Sequence, residues 1–222
     1  MNRAMIIGSM VAVLLVNGVA RSQETRFGGQ LDMSITSDLN LELEAEVRSE
    51  KHFTTFETAL VESAVSYELG DYFEIKTGYR HAFIPDNFVA TGSPDVNEDR
   101  LTMSFYAEKE VVEDLDVQYR GRYQWAKEVE GSDSDHRQYF RNRLKLDYNL
   151  TSIADPYMSY EFYYRIDRRR AINQWRIEIG LDIELTDNMD MDVFYRHQRD
   201  VNIRIPDTDR IIEVNLQYNL DF

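Results

Sequence analysis

The last ten residues, Glu213 to Phe222, read EVNLQYNLDF. In an extended chain successive side chains point to opposite faces. Val214, Leu216, Tyr218, Leu220 and Phe222 therefore share one face, and Glu213, Asn215, Gln217, Asn219 and Asp221 the other. A chain end is the part of a domain least in need of order, so strict alternation up to the last residue predicts a strand that must pair.

The same period of two recurs upstream. Phe27, Gly29, Leu31, Met33 and Ile35 share a face, as do Leu39, Leu41, Leu43, Ala45 and Val47, with Glu42, Glu44, Glu46 and Arg48 opposite. Further alternating segments run over 59–69, 73–81, 100–109, 115–125, 139–148, 156–165, 174–185, 189–197 and 210–222. Short connections fall around 37–38, 70–71, 111–114, 149–155 and 186–188. Longer polar ones fall at 49–55, 82–99, 126–138, 166–173 and 198–209. Long strands joined alternately by short turns and long loops describe a single antiparallel transmembrane β-barrel. A soluble sandwich also alternates, but its strands are shorter, nearer five or six residues. Aromatic residues on the apolar faces gather towards both strand ends. Phe27, Tyr79, Tyr123, Trp125, Phe140, Tyr164, Trp175 and Tyr195 lie near the long loops, and Tyr67, Phe73, Tyr148, Tyr218 and Phe222 near the short turns. Such bands are expected at the two membrane interfaces.

Eleven segments are legible, whereas single-chain bacterial barrels carry even numbers of strands. The expectation is about 12 strands, with 10 as the alternative, a missing strand being sought in Val201 to Ile205 or in 82–99. Both termini are then expected on the periplasmic side.

Residues 1–20 differ from the rest: Arg3, an apolar run from Ala4 to Val16, then Gly18 and Ala20. This predicts a secretory signal peptide cut after Ala20, leaving 21–222 as the barrel and placing it in a cell outer membrane. With no cysteine, disulfides and thiolate metal sites are excluded. The formal charge of −15, from 25 basic and 40 acidic residues, argues against nucleic acid as a partner, because no net positive field exists to meet phosphates.

A terminal aromatic after alternating hydrophobics resembles the signal by which outer-membrane barrels reach their assembly machinery. Leu216, Tyr218, Leu220 and Phe222 would form it. The LELEAEVR strand, the TGYRH segment, the RNRLKLDYNL and DPYMSYEFYY pair, the DVFYRHQ strand and the terminal Phe together resemble an uncharacterised barrel family common in Bacteroidetes, domain of unknown function 2490. The resemblance implies a fold and a location, and no activity.

The polar faces should line the lumen. A basic belt of Arg48, Arg80, Arg100, Arg120, Arg122, Arg141, Arg143, Arg165, Arg176 and Arg196 is expected near the long-loop ends. Acidic residues such as Glu42, Glu68, Glu74, Asp116, Asp147 and Asp192 are expected near the short turns, and Glu46, Glu62, Glu108, Glu161 and Glu178 between. In a narrow barrel these charges pair with one another, which predicts a structural or ligand-binding barrel with a charge-paired lumen. Alternatively the belt gathers small anionic solutes at a pore. A rim-sited lipid or peptide hydrolase using His52, His81, His136 or His197 is a third reading, without a catalytic motif to support it. No cofactor and no metal are expected. The partners expected are membrane lipid, lipopolysaccharide and the assembly machinery. The acidic run KEVEGSDSDH lacks the ligand spacing of a calcium loop and is expected to be a solvated loop. Arg168, Arg169 and Arg170 would meet lipopolysaccharide phosphates or flank a turn.

Overall fold

The computed structural model describes residues 23–50, 55–84, 96–130, 133–151, 153–168 and 170–221. Eleven strands are found among them: β1 (Glu24–Ser34), β2 (Leu39–Glu50), β3 (Thr55–Glu68), β4 (Phe73–Ile84), β5 (Val96–Val112), β6 (Leu115–Glu130), β7 (Asp133–Tyr148), β8 (Ala154–Arg165), β9 (Ala171–Thr186), β10 (Met189–Asp200) and β11 (Thr208–Asp221). Each pairs antiparallel with the next. β1 and β11 then close the barrel in parallel over eleven in-register residue pairs, from Glu24↔Ile211 to Ser34↔Asp221.

The expectation of 12 strands, or 10, is thereby corrected to eleven. Residues 201–207 form an irregular connection and not a strand, with Asn202 in the left-handed region at φ 57°. Residues 85–95, the other place sought, lie outside the described residues, as do the signal segment 1–20, His52, Arg169 and Phe222. An odd number of strands joined only by hairpins makes the first and last run in the same direction. Glu24 and Asp221 accordingly lie at opposite ends of the barrel, so the expectation of two termini on one side does not hold.

The long connections are shorter than the sequence suggests, because strands continue into them, most of all between β6 and β7. β6 and β7, each 16 residues, are paired out to Glu130↔Asp133. Outside residues 131–132, which are not described, the acidic run is thus strand instead of a solvated loop. Arg137 neutralises it by pairing with Glu128 at 2.9 Å and Asp135 at 3.4 Å, and Arg168 reaches Asp135 at 2.5 Å. The short turns are built as expected of their residues. Gly70 takes φ 72° between β3 and β4, a conformation glycine adopts without steric cost. Thr36 Oγ1 accepts from the backbone of Leu39 in the β1–β2 turn.

Alternation sorts the side chains as read. Phe27, Tyr79, Tyr123, Phe140, Tyr67, Phe73, Tyr148 and Tyr218 all face outward and are 39–48 % exposed. Between these bands lie exposed aliphatic residues such as Ile75 and Leu144, each flanked by band aromatics on its own strand. The inward face is polar, and its most buried charged member is Glu161, 2 % exposed. At one inward position a ring replaces a side chain: a Cβ on Gly180 would stand 2.4 Å from the Tyr157 ring, whose hydroxyl donates to Asp192 at 2.9 Å.

Candidate functional site

All ten arginines of the expected belt face the lumen, since each alternates with outward residues on its own strand. They do not all sit near the long loops: Arg48 and Arg165 fall within the last three residues of β2 and β8 at that end, and others lie deeper. Arg120, Arg122, Arg141 and Arg143 occupy the middle thirds of β6 and β7. Nine of the ten, all but Arg165, line one central cavity of about 290 Å³. Arg165 lines a second cavity of about 400 Å³ at the long-loop end, together with Arg137, Tyr139 and Tyr163. A third, of about 350 Å³, lies against the short turns and is lined by Asp38, Glu68, Asp71, Glu74 and Glu108 and, among the described residues, by no basic one. Arg100 and Arg176 line both the outer and the central cavity, and Tyr106 both the central and the inner one. The three cavities thus stand in series, separated by side chains.

The central cavity is crossed by ion pairs. Glu161 on β8 is the hub: it accepts from Arg120 at 2.6 Å and twice from Arg141, at 3.1 and 2.9 Å, with Arg176 at 3.8 Å. Glu178 on β9 accepts from Arg196 at 2.6 Å and from Ser159 at 3.0 Å, and lies 3.9 Å from Arg143. On the other wall Arg80 pairs with Glu62 and Glu44, Lys76 with Glu42, and Arg48 with Glu46. Glu213 lies between Arg26 at 3.9 Å and Arg196 at 3.5 Å. A bidentate guanidinium–carboxylate contact is the strongest such pair. Here it joins strands around the wall, so the lumen is filled by the network as well as lined by it.

The walls are not equivalent. On β5 to β9 six arginines line the cavity with two carboxylates, Glu161 and Glu178; on β1 to β4 and β11 four cations face four carboxylates, Glu44, Glu46, Glu62 and Glu213. Arg122 stands apart. It donates to Ser104 Oγ at 2.7 Å and to the Tyr106 hydroxyl at 3.1 Å, and among the described residues it pairs with no carboxylate.

Several lumen residues escaped the sequence reading. The Tyr163 ring lies between two guanidinium groups, with Arg141 Cζ at 4.3 Å and Arg176 Cζ at 4.5 Å from its centroid. Such cation–π contacts hold both arginines facing inward. Tyr106 and Tyr157 also line the cavity. The outward aromatic bands drew attention away from them, yet these share parity with charged neighbours: Tyr163 is two residues from Glu161, and Tyr106 two from Glu108. Parity was the available signal.

The histidines do not meet around the lumen. His81, His136 and His197 face outward near the long-loop end. His81 Nδ1 lies 2.8 Å from Asp99 Oδ1, which also accepts from the Tyr79 hydroxyl at 2.6 Å. His136 stacks on Trp125 and His197 lies tilted by 48° against Trp175, each 5.4 Å between centroids. Of the expected assembly signal, Leu216, Tyr218 and Leu220 lie on the outward face of β11, and Leu216 and Tyr218 are exposed. Among the described residues no cluster of His, Asp and Glu is arranged to hold a metal ion.

A family model described as a protein of unknown function, DUF2490, matches residues 27–207. The chain belongs to the DUF2490 family. No curated protein matches it. Among solved structures the DUF2490 barrel resembles the β domain of the Bordetella autotransporter BrkA, with TM-score 0.58 and 10 % identity, over 82 % of this chain and 84 % of that one. It also resembles the NanC porin, with TM-score 0.50 and 14 % identity over 89 % and 99 % of the two chains. The translocator domain of NalP from Neisseria meningitidis matches at TM-score 0.45 and 13 % identity over 80 % and 73 %. At these identities the likeness is one of fold: a closed β-barrel of the kind found in outer-membrane proteins.

Proposed function

We propose that this DUF2490 protein is an outer-membrane barrel, embedded in lipid and lipopolysaccharide, whose lumen is occluded at mid-height and holds a ligand instead of passing solutes freely. The observation that carries the reading is Glu161, buried at the centre and joined to Arg120 and Arg141 by hydrogen bonds of 2.6 to 3.1 Å. Side chains tied to both neighbouring strands and to each other stand where an open pore needs water. Support for the membrane comes from outward aromatic bands flanking exposed aliphatic residues, since a lipid-facing surface needs no polar cover. Closure adds to it, because an open sheet edge leaves backbone groups unsatisfied in hydrocarbon. Delivery by the barrel-assembly machinery, with β11 as the recognised strand, belongs to the same proposal.

Purified protein in a planar bilayer is the test. Occlusion gives a silent membrane at moderate voltage. Steady ohmic conductance would overturn it in favour of a small-solute pore. That second reading draws on the three cavities in series and predicts anion preference weakened by Arg143→Ala.

A further inference from the structure

β6 and β7 set like charges directly against each other. Their register opposes Arg120 to Arg143 and Arg122 to Arg141, a two-by-two block of guanidinium groups on one wall of the central cavity. Like charges directly opposite in a sheet are destabilising, and a local rule broken in an otherwise consistent strand pair points to a functional site. The nearby carboxylates do not balance the block. Glu161 serves Arg120 and Arg141, and Glu178 is 3.9 Å from Arg143 and already bonded to Arg196. Among the described residues Arg122 has only two hydrogen-bond partners, both neutral hydroxyls. The Nε–H groups of Arg120 and Arg143 are buried without an acceptor, although a buried donor normally has one.

We propose that this block is the seat of a small tetrahedral oxyanion of the phosphate or sulfate kind, with Arg122 as its principal partner. The proposal rests on the ligand-holding reading above and names its ligand class. A guanidinium presents five donors in a planar fork. Arg122 spends two contacts on Ser104 and Tyr106 and keeps the remainder of its fork for an acceptor, which makes a multi-oxygen anion the matching shape. A doubly charged anion would also offset the repulsion between the opposed pairs. The cavity, about 290 Å³, accommodates such an ion and excludes a polymer. Arg122 is separable from the network: removing it strands no carboxylate, so binding and folding can be tested apart.

Detergent-folded protein is melted in sodium sulfate, in sodium phosphate and in sodium chloride at matched ionic strength. The expected result is a saturable rise in Tm in sulfate and phosphate. Arg122→Met should lose the saturable part while melting in chloride no lower than the wild type, and Arg122→Lys should recover some of it. The general stabilisation that kosmotropic anions exert on any protein is common to all three chains and subtracts out. A rise equal in the wild type and Arg122→Met overturns the proposal, as does the absence of any saturable rise. Should Arg122→Met not refold, broadening of the ³¹P signal of inorganic phosphate by wild-type protein, reversed by sulfate, supports the site, and its absence overturns it. Bilayer recording on the same preparation separates the two readings. A conducting protein with a specific anion effect overturns occlusion and leaves the site, whereas a silent protein without one overturns the site alone.

Discussion

Glu161 shows how much a single residue carries here. It is 2 % exposed and has three arginines within 4 Å. Charge at that depth is tolerated because each oxygen accepts from a guanidinium, and breaking such a pair leaves an uncompensated buried charge, at a cost of about 3–5 kcal/mol. Glu161→Gln keeps the shape and removes the charge, leaving Arg120, Arg141 and Arg176 without a hub. The variant should lose heat resistance on a semi-native gel and unfold at lower denaturant. An unchanged midpoint would mean that water already screens the pairs. Arg122→Met, in the next inward row of the same lumen, is expected to have no such effect, since among the described residues Arg122 bonds to Ser104 and Tyr106 and to no carboxylate.

At the scale of elements, the β1–β11 seam is where the barrel is completed. It comprises eleven parallel residue pairs, and parallel ladders are slightly weaker per residue than antiparallel ones. The seam is also tight: a Cβ on Gly28 would lie 2.5 Å from Asn215 Oδ1. Without β11, both β1 and β10 would present open edges to lipid, where unpaired backbone groups have no water to turn to. A chain ending at Asp207 should be secreted and fail to insert as a heat-resistant form. Recovery of that truncated chain in the membrane at wild-type level would show that β11 neither closes the barrel nor addresses it.

The whole molecule has a polarity that its strand number creates. With eleven strands, Glu24 lies at the long-loop end and Asp221 at the short-turn end. The chain contains no cysteine, so single substitutions can be labelled without background. In intact cells a membrane-impermeant maleimide should label Gln23→Cys and Asp207→Cys but not Asn188→Cys, which requires permeabilised cells. If Gln23→Cys is protected alongside Asn188→Cys, the first strand runs the other way and the seam is antiparallel.

Period-two patterning by itself determined which residues face outward, because a side chain's direction in a strand depends only on parity. It therefore disclosed eleven strands, the aromatic bands and the inward direction of all ten belt arginines. How the sheet closes was decided only in three dimensions. The pairing of β1 with β11 is a contact between chain ends, and no local pattern encodes its direction. Even-number reasoning led away from the eleven segments that alternation had marked. Loop length follows the same rule: polar residues such as Glu128 and Asp135 suggest a solvated loop, yet they continue β6 and β7, where Arg137 pairs with Glu128 across the strands and with Asp135 along its own. The arginine block needed register as well as parity. Alternation places Arg120, Arg122, Arg141 and Arg143 inside, but only the pairing of β6 with β7 sets them against one another and leaves Arg122 without a carboxylate, since opposition between strands is a property of the sheet and not of either segment.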